Sequence, residues 1–349
     1  YYKTLYDPED WRGTIEAYKL SPSTGRIDGD MLWTTDETIT PSEDSAKYQT
    51  FNTTNNEVVD LEYSNVSASQ QAELDDALVA PATGEGLVSW VKGDNVSGLR
   101  TRTVLLGDVI NSSLERVAPA DKLASSVTGD TSYTEYLTAK SGGKSGTSGL
   151  TSSLLVNGND GLFHVINATN GEHRFGYLAS TLFSSLKIVA DTDYATSKTH
   201  RFMADGPIVV ADAQLDSKWT TLAVAGLGAG GKSIFAVKLY SAGDNDVEAL
   251  WEVSPPITNT PSNDWNNLGY SYSKAVVART QGNKWVAIFG NGYGSHSGKA
   301  SLYVVDLTTG DLIKEIVVDK NATGTAESGL SSPQVLVNAQ FQIEKIYAG

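Results

Sequence analysis

The most explicit chemical motif in the chain is GLGAGGKS at 226–233. Gly226, Gly231, Lys232 and Ser233 satisfy the phosphate-loop spacing G-x-x-x-x-G-K-[ST]. Such a loop grips phosphates with backbone N–H groups and a lysine at the start of a helix, whose positive end favours the charge. LYVVD at 302–306 adds a strand ending on an acidic residue, Asp306. The context argues against nucleotide binding. The next residues, SIFAVKLY, alternate and carry β-branched and aromatic side chains, so a strand follows where a helix is required. The motif reads as a glycine-rich hairpin. His164, His173, His200 and His296 show no H-E-x-x-H spacing and have no serine elbow for company, which leaves structural or solvated roles. Asp191 with Asp193, and Asp244 with Asp246 and Glu248, offer the oxygen ligands that calcium takes. They lack a completed loop with a glycine turn, so they read as turn residues. Most of the tryptophans fall at the ends of strand-like runs, where they pack between layers. Trp265 does not: it lies with Asp264 and Tyr270 in the polar loop NTPSNDWNNLGY and is a candidate contact residue.

Composition narrows what can position these residues. The chain has 349 residues, 40% of them hydrophobic, a net charge of −15 and no cysteine. It can bury a large core. Without cysteine it has no disulfide, thiol nucleophile, zinc–thiolate or iron–sulfur site. The acidity argues against nucleic acid or anionic lipid as the main partner. No apolar run approaches the ~20 residues of a membrane-spanning helix. Between Thr34 and Asp94 twelve Asp/Glu face only Lys47 and Lys92, so most of the imbalance belongs to one stretch. That stretch reads as a solvated insertion with a helix around Ala68–Val79. The low-complexity run SGGKSGTSGLTSS (141–153) reads as a loop.

Elsewhere short runs rich in Val, Ile, Leu, Phe and Tyr are bounded by Gly, Asn, Asp and Pro: VLLGDVI, SLLVNG, IVVADA, TLAVAG, KAVVAR, WVAIFG, LYVVDL and QVLVN. Few helical patterns separate them, so the fold is all-β and antiparallel. The strands recur. GTIEAYKL (13–20), GLFHVINA (161–168), KSIFAVKL (232–239) and ASLYVVDL (300–307) align, and three of them lead through a glycine-bearing turn into another strand. Four strands repeat about every 70 residues, which is the signature of a β-propeller blade. The reading is one domain over 1–349, with insertions at about 34–99 and 118–150. It opens on the third and fourth strands of one blade (GTIEAYKL, MLWTT) and closes on the first two of another, as an incomplete portion of a ring. Three fuller units begin near Thr103, Asp205 and Ser271.

The turns NGNDGLFHVINATNGE (157–172) and SLYVVDLTTGDLI (301–313) resemble quinoprotein-like propeller repeats. WRGTIEAYKL (11–20), LVSWVKGDN (87–95), RTVLLGDVINSS (102–113), HRFMADGPIVVAD (200–212), TLAVAGLGAGGKSIFAV (221–237), LGYSYSKAVVAR (268–279), KWVAIFGNGYGSHSGKASLYVVDLTTG (284–310) and SSPQVLVNAQFQIEKIYAG (331–349) follow in register. Together they resemble the C-terminal propeller of the PilY/PilC family of type IV pilus tip adhesins and assembly factors. The resemblance implies a non-enzymatic, extracellular protein at the pilus tip or outer-membrane surface. Its partners would be minor pilins and host-cell or abiotic surfaces. It also implies calcium, held in an Asp-rich loop before a Y-A-G strand. Here that loop is degenerate: Asn338, Gln340 and Gln342 stand at the ligand positions and Glu344 is its only carboxylate, so no cofactor is expected. The other class open to such a propeller is a quinone-cofactor dehydrogenase, which often needs an adjacent cysteine pair that this chain lacks.

Overall fold

Alternation of apolar and polar residues turns into antiparallel sheet through most of the chain, as the all-β reading requires. The computed structural model describes residues 1–41, 44–124, 127, 129–197, 200–260, 262–318 and 328–349. The chain divides into two units, Tyr1–Arg116 with Ser153–Asp205 and Val117–Ser152 with Gly206–Gly349.

In the first unit β1 (Tyr2–Asp7), β2 (Arg12–Leu20) and β3 (Ile27–Thr34) form an antiparallel sheet. β2 buries Gly13, Ile15 and Ala17 and leaves the residues between them half-exposed, the period of a strand with one covered face. The chain thus opens on three strands where the sequence suggested two; YKTLYD, polar on both faces, gives no strand pattern. A second sheet runs β5-β4-β9-β8-β7-β6. Its strands are β4 (Lys47–Asn52), β5 (Glu57–Asp60), β6 (Glu115–Val117), β7 (Ser153–Asn157), β8 (Leu162–Asn167) and β9 (His173–Leu178). β4 pairs with β9 in parallel. Ile15, Ala17 and Trp33 from the first sheet pack on Leu154, Val156, Ile166 and Ala168 from the second.

Two sequence readings are corrected here. VLLGDVI (104–110) is not a strand but an extended loop, tied by single bonds such as Gly13 N to Leu106 O (2.8 Å) and Asp108 N to Trp11 O (3.2 Å). These bonds make one isolated antiparallel bridge, Arg12 to Gly107, and the pairing does not extend into a strand. The acidic stretch is solvated at Glu57, Asp60, Glu62 and Asp75, but Tyr48, Thr50, Phe51, Leu61, Leu74 and Leu87 are buried. Its strands β4 and β5 extend the sheet, so it is part of the fold and more than a surface elaboration.

In the second unit the repeat is realised directly. β10 (Ile208–Leu215), β11 (Lys218–Gly226), β12 (Ile234–Tyr240) and β13 (Glu248–Val253) form one four-stranded antiparallel sheet. β14 (Val276–Arg279), β15 (Trp285–Gly290), β16 (Ser301–Asp306) and β17 (Leu312–Val317) form the next. β18 (Gln334–Val337) and β19 (Ile343–Tyr347) make a two-stranded sheet that packs Val335, Ile343 and Ile346 on Val286, Ile288 and Leu302. Trp219 of β11 meets Trp285 of β15 edge to face, with centroids 5.7 Å apart.

The aligned turns share one geometry. Gly25 N bonds Ser21 O (2.8 Å), Gly171 N bonds Asn167 O (2.9 Å) and Gly310 N bonds Asp306 O (2.9 Å). Gly171 and Gly310 have φ near +77° and lie flat on a tryptophan from the preceding sheet, Trp33 and Trp251 respectively. The tryptophans at strand ends thus fill the space between sheets, as their positions suggested.

Helices are more numerous than the sequence showed: α1 (Thr35–Thr38), α2 (Ala68–Asp75), α3 (Gly84–Val91), α4 (Thr131–Lys140), α5 (Phe183–Val189) and α6 (Tyr194–Ser197). α2 is the expected one, opened by a Ser67/Gln70 capping box. It stops at Asp75, short of Val79, because the chain turns at Ala77 (φ 54°). α3 forms despite two glycines because Thr83 caps it and Leu87, Val88, Trp90 and Val91 are buried. α4 is held by a buried ion pair: Lys140 Nζ lies 2.8 Å from Asp212 Oδ1 on β10, and Tyr133 OH donates to Asp212 Oδ2 (2.8 Å). Among the described residues no helix is long and apolar enough to cross a membrane.

Candidate functional site

In the second unit the loops between sheets, not the strands, carry the candidate residues. Asn291 is fully buried and knits them: its Nδ2 donates to Asn267 O (2.7 Å) and Lys299 O (2.6 Å), and its Oδ1 accepts from Ser301 N and Leu330 N. All its bonding capacity is satisfied, so the loop 262–270 is fixed against the loop 291–299. Trp265 is half-buried and its ring rests on Tyr303 (5.3 Å), which rests on Phe289 (5.7 Å). The Tyr303 hydroxyl donates to Asp264 O, so Trp265 and Asp264 anchor this loop as well as border it. Burial pushes the Tyr303 hydroxyl well above the ordinary phenol range, and it stays a neutral donor.

Tyr270 is exposed and stands beside two tyrosines the sequence did not single out, Tyr272 and Tyr293, which are 52% and 57% exposed. Tyr270 N bonds Tyr293 O (2.7 Å), and the rings of Tyr270 and Tyr272 are 6.4 Å apart. Lys232 Nζ lies 5.3 Å from the Tyr270 ring centroid and donates to Gly294 O. Exposed tyrosines on fixed loops suit protein contact, since each offers large area at small entropic cost. The spacing G-Y-S-Y and the later G-Y-G are the signal that would have gathered them.

The same contacts dispose of the phosphate-loop chemistry. Residues 228–230 make one short 3-10 turn, and β12 follows at Ile234 with no helix to supply a dipole. Ser233 is buried and donates to Glu252 Oε1 (3.0 Å), while Asp306 pairs with Lys284 (2.6 Å).

At the degenerate calcium loop Asn338 Oδ1 accepts from Gln340 N (2.9 Å) and Gln342 N (3.0 Å), and Asn338 Nδ2 donates to Gln342 Oε1 (2.9 Å). Gln342 Nε2 donates to Asn283 Oδ1 (2.8 Å). The carboxamide oxygens are committed to this amide network, and Glu344 is exposed on β19. These residues do not fit calcium, whose site needs several free oxygens. Lys238 bridges Asp244 and Glu248, so that carboxylate group is an ion-pair cluster. Among the described residues no group of three or more His, Asp or Glu is arranged to hold a metal ion.

The first unit holds a buried cluster that the sequence concealed. His164 on β8 and His173 on β9 meet at Nδ1···Nε2 3.0 Å. His164 Nε2 lies 3.0 Å from Asp160 Oδ2, and His173 Nδ1 lies 2.6 Å from Asp44 Oδ2, which also accepts from Tyr48 OH. Burial pushes His173 below the ordinary imidazole range, against the opposing bond to Asp44. Burial alone would raise Asp44 and Asp160. Their histidine contacts, and for Asp160 the N–H groups of Gly107 and Leu162, outweigh it and hold both carboxyls below the usual range. All four side chains are at least 97% buried, so the row ties strands together. Of its members the sequence marked only the two histidines, as structural residues.

A profile of the PilY1 beta-propeller domain matches residues 106–349. Across the whole chain the sequence is 29% identical over 358 residues to the type IV pilus biogenesis factor PilY1 of Pseudomonas aeruginosa (strain UCBPP-PA14), covering 30% of that protein. A type IV pilus biogenesis factor PilY1 homolog of Xylella fastidiosa (strain Temecula1 / ATCC 700964) is 29% identical over 357 residues, covering 90% of this chain and 23% of the homolog. The crystal structure of the P. aeruginosa PilY1 C-terminal domain aligns with a TM-score of 0.51 at 29% identity, over 67% of this chain and 43% of that one. The chain therefore spans less than a third of the length of these curated relatives.

Proposed function

The chain belongs to the PilY1 β-propeller family, and from that premise we propose that it acts, without enzymatic activity, in type IV pilus assembly and in adhesion by the pilus tip. The observation that carries this reading is similarity along the entire chain to proteins named as type IV pilus biogenesis factors. The geometry supplies a mechanism: four-stranded sheets locked by tryptophans hold loops rigid, and rigid loops bind with little ordering cost. The loop surface around Tyr270, Tyr272 and Tyr293, bordered by Trp265 and Asp264, would meet a protein partner such as a minor pilin. The exposed carboxylates of the segment 34–94 would face a host-cell or abiotic surface. On this proposal the protein works outside the cell, on the pilus or the outer-membrane surface. A quinone-dependent dehydrogenase is disfavoured by the absence of cysteine.

The test is to shear pili from the native host and probe them with antibody to this chain. Co-purification with label at filament ends is expected. Label confined to the cytoplasm would overturn the proposal, and label along the shaft would overturn the tip location.

A further inference from the structure

The first unit contains a cavity of about 220 Å³ whose wall includes Arg12, Arg100, Arg102, Asp10 and Asp160. Its unusual feature is two arginines that, among the described residues, make no close ion pair, although the charge of Asp160 acts on both. Arg100 makes one side-chain hydrogen bond, Nη1 to Asp10 O (2.9 Å), and Arg102 makes one, Nη2 to Trp90 O. Among the described residues neither forms an ion pair with a carboxylate, and Arg100 Nε is buried with no partner at all. Of the carboxylates nearby, Asp160 is committed elsewhere and Asp10 only loosely, its Oδ1 making no hydrogen bond. Asp10 lies 3.6 Å from Arg12 Nε, and Asp160 accepts from Gly107 N (2.6 Å) and Leu162 N (2.9 Å) and meets His164.

A guanidinium carries five N–H donors in a rigid fork. Both side chains are half-buried, and Arg100 Nε is a buried donor left over in this site. A charge taken partly out of water without a close ion pair is costly, and a protein with an acidic excess has carboxylates to spare, so two open forks in one cavity mark a place for an anion. The forks are also aimed. The Arg102 guanidinium carbon sits 3.7 Å from the Trp90 ring centroid, and that of Arg100 sits 5.1 Å from the Tyr194 centroid. These faces orient the cations without neutralising them.

The walls restrict the anion. Arg12 is paired with Asp7 and Asp10, so Arg100 and Arg102 stand against Asp160 alone, which suits a monocarboxylate better than a phosphate dianion. Thr101, Thr103 and Thr192 add hydroxyls at the wall. Trp11 adds a flat aromatic face and is held at φ 54°, a conformation a bulky residue adopts only when its surroundings impose it. Forked cations, hydroxyls and an aromatic platform in a volume near that of one sugar ring are complementary to a carboxylated monosaccharide. We propose that this cavity is a binding site for a sugar acid of the uronate type, its carboxylate held between Arg100 and Arg102. The site lies within the first unit and does not depend on the pilus reading.

The experiment is a titration of the whole chain with sodium glucuronate, followed by calorimetry and by melting temperature. Glucose, sodium acetate and sodium chloride at matched ionic strength serve as comparisons. Saturable binding of glucuronate is expected, at least tenfold tighter than acetate and absent for glucose. Arg100→Gln and Arg102→Gln should each weaken it at least tenfold with circular dichroism unchanged. Should either variant fail to fold, Arg100→Lys keeps the charge but loses the fork, and the same weakening is expected. No saturable binding of glucuronate, equal response to glucose, or full binding by folded variants would overturn the site. Acetate binding as tightly as glucuronate would overturn the sugar-ring assignment.

Discussion

Replacing Gly310 by alanine tests the packing unit that repeats through the fold. Two costs can be worked from its surroundings. Gly310 has φ +77°, where a side chain costs about 1–2 kcal/mol. Its new Cβ would also stand 2.8 Å from Cγ and Cδ2 of Trp251 and 3.0 Å from its Cβ. Trp251 is 2% exposed and its Nε1 is bonded to Leu307 O (2.8 Å), so the ring cannot retreat without losing that bond. Overpacking of this kind adds about 1–3 kcal/mol, for a total near 3 kcal/mol. Gly146 provides the control in the same unit: its φ is +76° and nothing lies within 4 Å of the position a Cβ would take. Gly146→Ala should lose about 1 kcal/mol or less, since strain is partly offset by a stiffer unfolded chain. The assay is urea denaturation followed by far-ultraviolet circular dichroism, with Trp251→Ala completing a double-mutant cycle. With the ring removed, Gly310→Ala should cost only the backbone strain, leaving a coupling of about 2 kcal/mol. Equal losses at Gly310 and Gly146, or a coupling near zero, would refute the claim that the turn glycine exists to seat the tryptophan.

The buried pair gives a second outcome. Lys140→Met strands the Asp212 carboxylate with only neutral donors and should cost about 3–5 kcal/mol, whereas Lys140→Met with Asp212→Leu should recover most of it; a thermal melt of the three variants decides. The histidine row gives a pH dependence. His173 is held neutral by burial, so as pH falls below its unfolded value of 6.5 the unfolded chain binds the extra proton and stability drops. Below 3.8 the depressed carboxyls of Asp44 and Asp160 add a second loss as they protonate in turn. Urea midpoints at pH 7, 6 and 5 should decline for the native chain and flatten for His173→Gln; parallel declines would dissociate the row from the effect. Mg–ATP should leave the melting temperature unchanged, because Lys232 serves Gly294 and Tyr270. A saturable shift abolished by Lys232→Ala would restore the phosphate-loop reading.

The strands of β10 to β17 were legible because their pattern is local: alternation within a strand, turn residues at its ends, and a repeat that fixes their order. β1 escaped because YKTLYD owes its strand to pairing with β2 alone. VLLGDVI misled for the converse reason: Val104, Leu105 and Leu106 are buried, but the segment pairs only through one bridge, Gly107 to Arg12. α4 was hidden by weak helix formers such as Thr and Tyr, and its stability comes from Asp212, 72 residues beyond Lys140. Trp265 was legible as a loop aromatic, but its seat on Tyr303 was not. The Asp44–His173 contact spans 129 positions, and Arg100 and Arg102 look ordinary until the structure shows that among the described residues neither makes a close ion pair.

Piliation is the direct readout of the proposed role in building type IV pili. Deleting this propeller segment from the native host and quantifying sheared surface pilin should give a marked loss, restored by the native segment supplied in trans. Normal pilin recovery in the deletion strain would contradict the account.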